Sequence, residues 1–391
     1  MAMLFWISVG IIFYTYLGYG FLMYLLVKLK KWIYKTASLP MGFEPEVAIV
    51  IPCYNELQVL EEKLKNTFAL DYPKSKLSIY FITDGSTDGS ETYLKKQDNI
   101  TVLHIPEGMG KAAAENRSVQ FIHAQYVIFT DANTYLNKEA VKEMVKHFSD
   151  SKVGVVSGEK RILSEAKNAA SIAGEGMYWK YESKLKQWDS EFYSAIGAAG
   201  ELIAFRTDLI EDLEHDTLLD DFMQSMRITL RGYKNVYEPN AYAEESASAN
   251  VQEEIKRKVR ISAGSWQSMM RLVQAFNPFH NFAVFFMFVS HKVFRWVLVP
   301  FCLLILIPLT TYLGFTQGGY FIYFAWMQVL FYLMVFVGKY FEEHKVKVKL
   351  FFIPYYFAIT NWSLCLGFIK FLKGSQQVTW DKAKRMGEVN A

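Results

Sequence analysis

The chain has 391 residues, of which 52% are hydrophobic, a formal net charge of +3 and three cysteines, Cys53, Cys302 and Cys365. So small a basic excess gives no footing for nucleic acid, and scattered cysteines without a CxxC pair exclude a disulfide framework or zinc module. Charge is segregated: residues 1–27, 296–338 and 350–369 hold no Lys, Arg, Asp or Glu. The remainder has an ordinary soluble composition. The pattern therefore predicts one soluble block joined to a few membrane segments.

Residues 3–27 are long enough to span a bilayer, which takes about 20 apolar residues. The run starts uncharged, and Lys28, Lys30, Lys31 and Lys35 follow it. A cleaved signal carries its basic residues first, so residues 1–30 read as an uncleaved anchor with the amino terminus outside.

From 44 to 270, short apolar runs alternate with amphipathic stretches. Strands are expected at 47–54, 77–85, 100–106 and 125–133, and helices at 56–68, 90–96 and 111–123. This alternation predicts an α/β fold with a parallel, Rossmann-like sheet. Such sheets bind ligands beyond the carboxyl ends of their strands. Those ends carry Tyr54-Asn55-Glu56, Asp84-Gly85-Ser86 and Asp131-Ala132-Asn133.

Asp131 and Asn133 stand two apart on an extended segment, which lets both face a divalent metal, Mg²⁺ or Mn²⁺, that bridges phosphates. The same residue types also end strands as turn formers. Gly108-Met109-Gly110-Lys111 precedes a helix, where backbone N–H groups can cradle a phosphate. Asp220 and Asp221 stand together before a helical stretch, either as a helix cap or with a general base between them. The cluster Lys256–Arg260 suits anionic lipid or the charge on a departing diphosphate.

Residues 272–291 are also uncharged, but Asn277, Pro278, His280 and Asn281 interrupt them. The piece 272–292 therefore reads as an interfacial segment lying on the membrane. Residues 293–372 hold three membrane segments, near 294–313, 319–338 and 350–369. Gly314–Gly319 separates the first two, and a basic hinge (Lys339, His344, Lys345, Lys347, Lys349) precedes the third. Four spans with the amino terminus outside put the polar tail 373–391 outside as well. Lys370, Lys373, Lys382, Lys384 and Arg385 favour the inside instead, and a re-entrant last segment around Pro354 and Asn361 is the other reading.

Nine short motifs arrive in a fixed order: IPCYNE (51–56), TDGSTDGS (83–90), GKAAAENR (110–117), TDANT (130–134), YWKYES (178–183), GAAGELIAFR (197–206), LLDDF (218–222), RGYKNVYEPNA (231–241) and RKVRI (257–261). Together they resemble the membrane-bound family 2 glycosyltransferases, the group containing cellulose, hyaluronan, chitin and poly-N-acetylglucosamine synthases. The resemblance runs from about Val47 to Trp266. It implies a GT-A domain flanked by transmembrane helices, multi-pass in the plasma (inner) membrane with the catalytic domain cytoplasmic. It also implies inverting transfer from a UDP-sugar donor to a growing polysaccharide.

By position, the resemblance implies that Tyr54 and Glu56 border the uridine and that Asp84 hydrogen-bonds the uracil. Lys111 would lie near the nucleotide, and Asp131 would hold the metal, with Asn133 in place of the family's second Asp. Asp221 would be the base beside Asp220, Gly200 would line the acceptor site, and Arg257 and Arg260 would cover the diphosphate. The family's Gln-x-x-Arg-Trp motif is Arg257–Ile261 here, without its Gln and Trp, and Trp266 is the candidate substitute. That departure keeps open a transferase adding one sugar to a lipid-linked acceptor; a reading from another class is a catalytically silent membrane or assembly subunit. Membrane lipids and export or assembly partners complete the expected partners.

Overall fold

The computed structural model describes residues 1–34, 40, 42–163, 170–246, 250–344, 346 and 348–374, with 163 and 170–178 as backbone only. Lys35, Lys345 and Lys347, and Lys382, Lys384 and Arg385 of the tail, lie outside the described residues.

The four expected strands form: β1 Val47–Cys53, β2 Leu77–Asp84, β3 Thr101–Ile105 and β4 Tyr126–Phe129. Four more follow: β5 Thr134–Leu136, β6 Val153–Leu163, β7 Ile203–Arg206 and β8 Lys234–Ser246. All join one sheet in the order β3-β2-β1-β4-β7-β6-β8-β5. The first four are parallel, but β7 runs antiparallel to β4 and β6, and β5 antiparallel to β8. The expected parallel sheet is therefore half right, and the whole is mixed. Helices still follow strands after β4, and β6 and β8 pair in parallel, but β7 enters between β4 and β6 antiparallel to both.

The helices are α1 Ala2–Ile33, α2 Leu57–Phe68, α3 Ser90–Leu94, α4 Lys111–Val119, α5 Ala140–Val145, α6 Ala170–Phe192, α7 Asp220–Leu230 and α8 Val251–Arg271. Then come α9 Phe282–Thr316, α10 Tyr320–Glu343 and α11 Lys349–Leu372. Alternate residues of β1 point to opposite faces of the sheet. Val47, Ile49 and Ile51 pack with Leu60 and Leu64 of α2, while Ala48 and Val50 pack with Ala114 of α4. Covering both faces explains why β1 is apolar without a break.

Four helices, α1, α9, α10 and α11, are long and apolar enough to cross a membrane. Of the piece 272–292 expected to lie on the membrane, residues 282–292 are continuous with the apolar helix that follows, because α9 starts at Phe282. Asn281, read in the sequence as an interruption, is the helix's amino-terminal cap: its side chain accepts a hydrogen bond from Val284 N at 3.1 Å. Helix α11 runs past Pro354 and Asn361 as one element.

The apolar helices are fastened to the soluble block. Tyr19 and Met23 of α1 share a core with Leu185 of α6, Phe222 and Met226 of α7, Met269 of α8 and Met287 of α9. Helix α8 lies tightly along α11. Ser262 Oγ donates to Leu364 O at 2.9 Å, and a Cβ on Gly367 would fall 2.3 Å from Ser262. Only a glycine admits this approach.

Candidate active site

Parallel pairing sets Cys53 of β1 beside Thr83 of β2, so the loops that follow lie side by side. Asn55, in a left-handed conformation at φ 52°, turns the first loop into the second. Asn55 N donates to Ser86 Oγ (3.1 Å), Glu56 N to Ser90 Oγ (3.2 Å) and Leu57 N to Asp88 Oδ2 (2.9 Å). Tyr54 and Glu56 are half-buried at this edge.

Asp84 is 1% exposed. Its Oδ2 accepts from Met109 N and Gly110 N, each at 2.8 Å, and its Oδ1 lies 3.5 Å from Arg117 Nη1. The carboxylate thus holds the glycine turn that opens α4, a task that the sequence reading does not foresee. Oδ1 has no hydrogen bond among the described residues.

The turn delivers Lys111. Its Nζ lies 2.9 Å from Asp131 Oδ1, 3.5 Å from Asp220 Oδ2 and 3.7 Å from Glu115 Oε1. A Cβ on Gly200 would sit 3.0 Å from Lys111 Nζ and 3.4 Å from Asp221 Oδ2. Lys111, Asp131, Gly200, Asp220 and Asp221, far apart in sequence, therefore meet. Burial works against the charge on Lys111, but Asp131, Asp220 and Glu115 overcome it and hold its pKa well above the ordinary value. Burial, and then the neighbouring Asp220, push Asp221 up to about 7. Glu115 is raised well above the usual carboxylate range by burial and by Asp220.

Beneath this cluster lies a residue that the sequence reading missed. Lys63 of α2 is fully buried, and its Nζ donates to Thr134 O (2.7 Å) and Thr130 Oγ1 (3.1 Å). It ties down the turn that carries Asp131 and Asn133. Burial lowers its pKa to about 7. A lysine on the apolar side of an amphipathic helix was the available signal.

A cavity of about 490 Å³ starts at Lys111, Asp131, Gly200, Asp220 and Asp221, runs past Arg257, Lys258 and Arg260 of α8, and reaches Tyr16 of α1, Trp296 of α9 and Tyr356 of α11. Arg257 and Lys258 pair with Glu254 at 3.0 and 3.2 Å. Tyr54, Glu56, Asp84 and Asn133 do not line this cavity, so the expected site residues divide into two groups. Trp266 does not line it either. Its ring packs on Phe368 and Phe371, with centroids 4.5 and 6.4 Å apart, so it is spent on docking α8 to α11. The lining aromatics are instead Tyr16, Trp179, Phe222, Trp296, Tyr356 and Phe357, and Phe222 meets Trp296 edge-on at 5.3 Å.

The cavity also shows Glu182, Lys186, Lys292 and Arg295, all buried and all missed in the sequence. Two cations inside a long apolar helix are the signal that could have found them.

Among the described residues, no three His, Cys, Asp or Glu side chains form a site that could hold a metal ion by themselves. An ion shared with a diphosphate needs only one or two protein carboxylates. Asp131, one-third exposed at its side chain, with the Asn133 amide two residues on, fits that second kind of ion.

Residues 48–214 match the family described as glycosyl transferase family 2. The chain carries a family 2 glycosyltransferase domain. Poly-beta-1,6-N-acetyl-D-glucosamine synthase of Staphylococcus aureus (strain COL) is 28% identical over 235 residues, 58% of this chain and 56% of that protein. The match thus spans about half of that relative's length. The synthase of the same name from Staphylococcus epidermidis is 24% identical over 366 residues, 87% of each chain. Among solved structures, a mannosyltransferase from Pyrobaculum calidifontis, in complex with GDP-Man and Mn²⁺, superposes with a TM-score of 0.71 at 19% identity. It covers 95% of this chain and 100% of that one. The family 2 domain therefore has the GT-A fold, with candidate membrane helices flanking it.

Proposed function

We propose that the protein moves a sugar from a UDP-sugar onto a growing polysaccharide in one inverting displacement, with its catalytic block on the cytoplasmic side of the membrane. The observation that carries this reading is one continuous cavity with the Asp131–Lys111–Asp221 cluster at one end and helices of membrane-spanning length at the other. Likeness to poly-N-acetylglucosamine synthases supports a polysaccharide product.

Asp221 takes the proton from the acceptor hydroxyl as that oxygen bonds to the anomeric carbon. The anomeric C–O bond to the diphosphate breaks, and its electron pair leaves with UDP. Arg257 and Arg260 lie along the cavity to offset that charge, while Tyr54, Glu56 and Asp84 border the nucleoside. A divalent metal held by Asp131 and Asn133 would, when bound, supply a Lewis acid for the phosphate oxygens. Phe222 and Trp296 offer aromatic faces next to Asp221 for an acceptor sugar.

A second reading, transfer of a single sugar to a lipid-linked acceptor, is favoured by the packing of Trp266 away from the cavity. Purified protein given labelled UDP-sugars separates the two by product size, and a product fixed at one added sugar sinks the polymer reading. GDP-mannose belongs in the same donor panel, because the structural neighbour was solved with GDP-Man. No nucleotide release with any donor would favour a silent subunit. In Asp221→Asn, transfer should fall roughly 10²–10⁴-fold with UDP affinity kept; full transfer would remove Asp221 as the base.

A further inference from the structure

We infer that the membrane end of the cavity is a binding site for the phosphate of a lipid-borne acceptor, formed by Lys186 of α6 with Lys292 and Arg295 of α9. This rests on the transferase reading for its role as an acceptor site, but not for the binding itself.

Lys186 is 6% exposed and lines the cavity. Among the described residues it has no hydrogen-bonding or ion-pairing partner, and its Nζ lies 5.8 Å from the centre of the Trp179 ring. Glu182, which lines the cavity one helical turn before Lys186, is already engaged. Glu182 accepts from Lys292 at 2.6 Å, from Arg295, and from His291 at 3.3 Å. The next carboxylate, Asp189, lies behind it and is held by His291 Nδ1 at 2.6 Å and by Tyr19 OH at 2.5 Å. Lys186 thus brings to the cavity a buried positive charge without a counter-ion among the described residues, beside the cations Lys292 and Arg295. Such a group is unfavourable on its own and becomes favourable when an anion completes it.

The origin of that anion follows from the helices around it. The expected donor cations, Arg257 and Arg260, stand on α8. The Lys186 group shares the cavity with Tyr16 of α1, and with Phe357 and Asn361 of α11, on helices long and apolar enough to cross a membrane. Ionisable side chains on such helices mark ligand paths. A phosphate bound there can keep its hydrocarbon chain in the bilayer and present its head along the cavity toward Asp221. The anion serves as a handle that holds the acceptor.

The test uses the full-length protein in neutral detergent, with dodecyl phosphate as probe and tryptophan fluorescence as readout, since Trp179 and Trp296 line the cavity. Dodecyl phosphate should bind roughly tenfold or more tightly than either dodecanol or inorganic phosphate. Lys186→Gln should lower that affinity by about tenfold or more, while Lys186→Arg keeps it and UDP affinity is unchanged in both. Three results overturn the inference: dodecanol binding as well as dodecyl phosphate, inorganic phosphate binding as well, or Lys186→Gln leaving affinity intact. Tighter binding of dioleoylphosphatidylglycerol would mark an ordinary phospholipid site and overturn the acceptor role. If Lys186→Gln does not fold, the ligand comparison on the unmodified chain still decides. Failure to bind or turn over any nucleotide sugar would count against the transferase reading instead, and is read separately.

Discussion

Lys111 Nζ lies 2.9 Å from Asp131 Oδ1, a contact that joins the start of α4 to the end of β4. An ammonium at that distance competes with a dication for the same carboxylate. Lys111→Met should therefore tighten Mn²⁺ binding to the nucleotide-free protein, measured by calorimetry, while lowering transfer by roughly tenfold or more through loss of a charge-assisted contact near the donor. Weaker Mn²⁺ binding in Lys111→Met would show that the two cations do not share Asp131.

Asn133 gives the expected metal position an amide where a carboxylate would bind a hard cation more strongly. Asn133→Asp should lower the Mn²⁺ concentration for half-maximal activity, and chelation with EDTA should abolish transfer until Mg²⁺ or Mn²⁺ is restored. Full activity of EDTA-treated protein would rule out the metal.

Asp221, pushed up to about 7 by burial and Asp220, must be deprotonated to act as a base. Below that pH it holds its proton, so kcat/KM should fall about tenfold per pH unit on the acid side of 7. Asp220→Asn removes a like charge and lowers the pKa of Asp221, shifting this limb to lower pH. Burial, the larger cause, stays and keeps the limb above the ordinary carboxylate range. An unmoved limb would assign the titration to another group.

Glu182 is the counter-charge for Lys292, Arg295 and His291 in a buried setting. Burial opposes its charge, but Lys292, His291 and Arg295 hold its carboxyl well below the usual range. Glu182→Gln removes their shared carboxylate and should cost about 3–5 kcal/mol, read as a lower Tm in detergent. An unchanged Tm would mean that water or lipid already compensates the cations.

The amino-terminal half of the site was legible because its carriers are apolar, β-branched runs such as Val47–Ile51, each ending in a polar loop. The other half was not. β8 alternates buried and partly buried residues and bulges against Gly158 and Glu159 of β6, so it lacks a continuous apolar signal. Glu182, Lys186 and Asp189 recur at four and three residues, which sets them on one face of α6. In sequence that face looks like any solvated helix. Its partners, His291, Lys292 and Arg295, are about a hundred residues away, and only folding shows that the face is buried. Asp84 was found by position, but its hold on the glycine turn depends on backbone amides, which a sequence pattern does not reveal.

The contact between Ser262 and Gly367 has a mechanical consequence. The helix that carries Arg257 and Arg260 cannot swing aside to free the spent nucleotide unless α11 shifts with it. The tilt of α11 answers to the thickness of the hydrocarbon layer around it. Turnover should therefore depend on acyl-chain length in reconstituted vesicles, even where donor affinity does not.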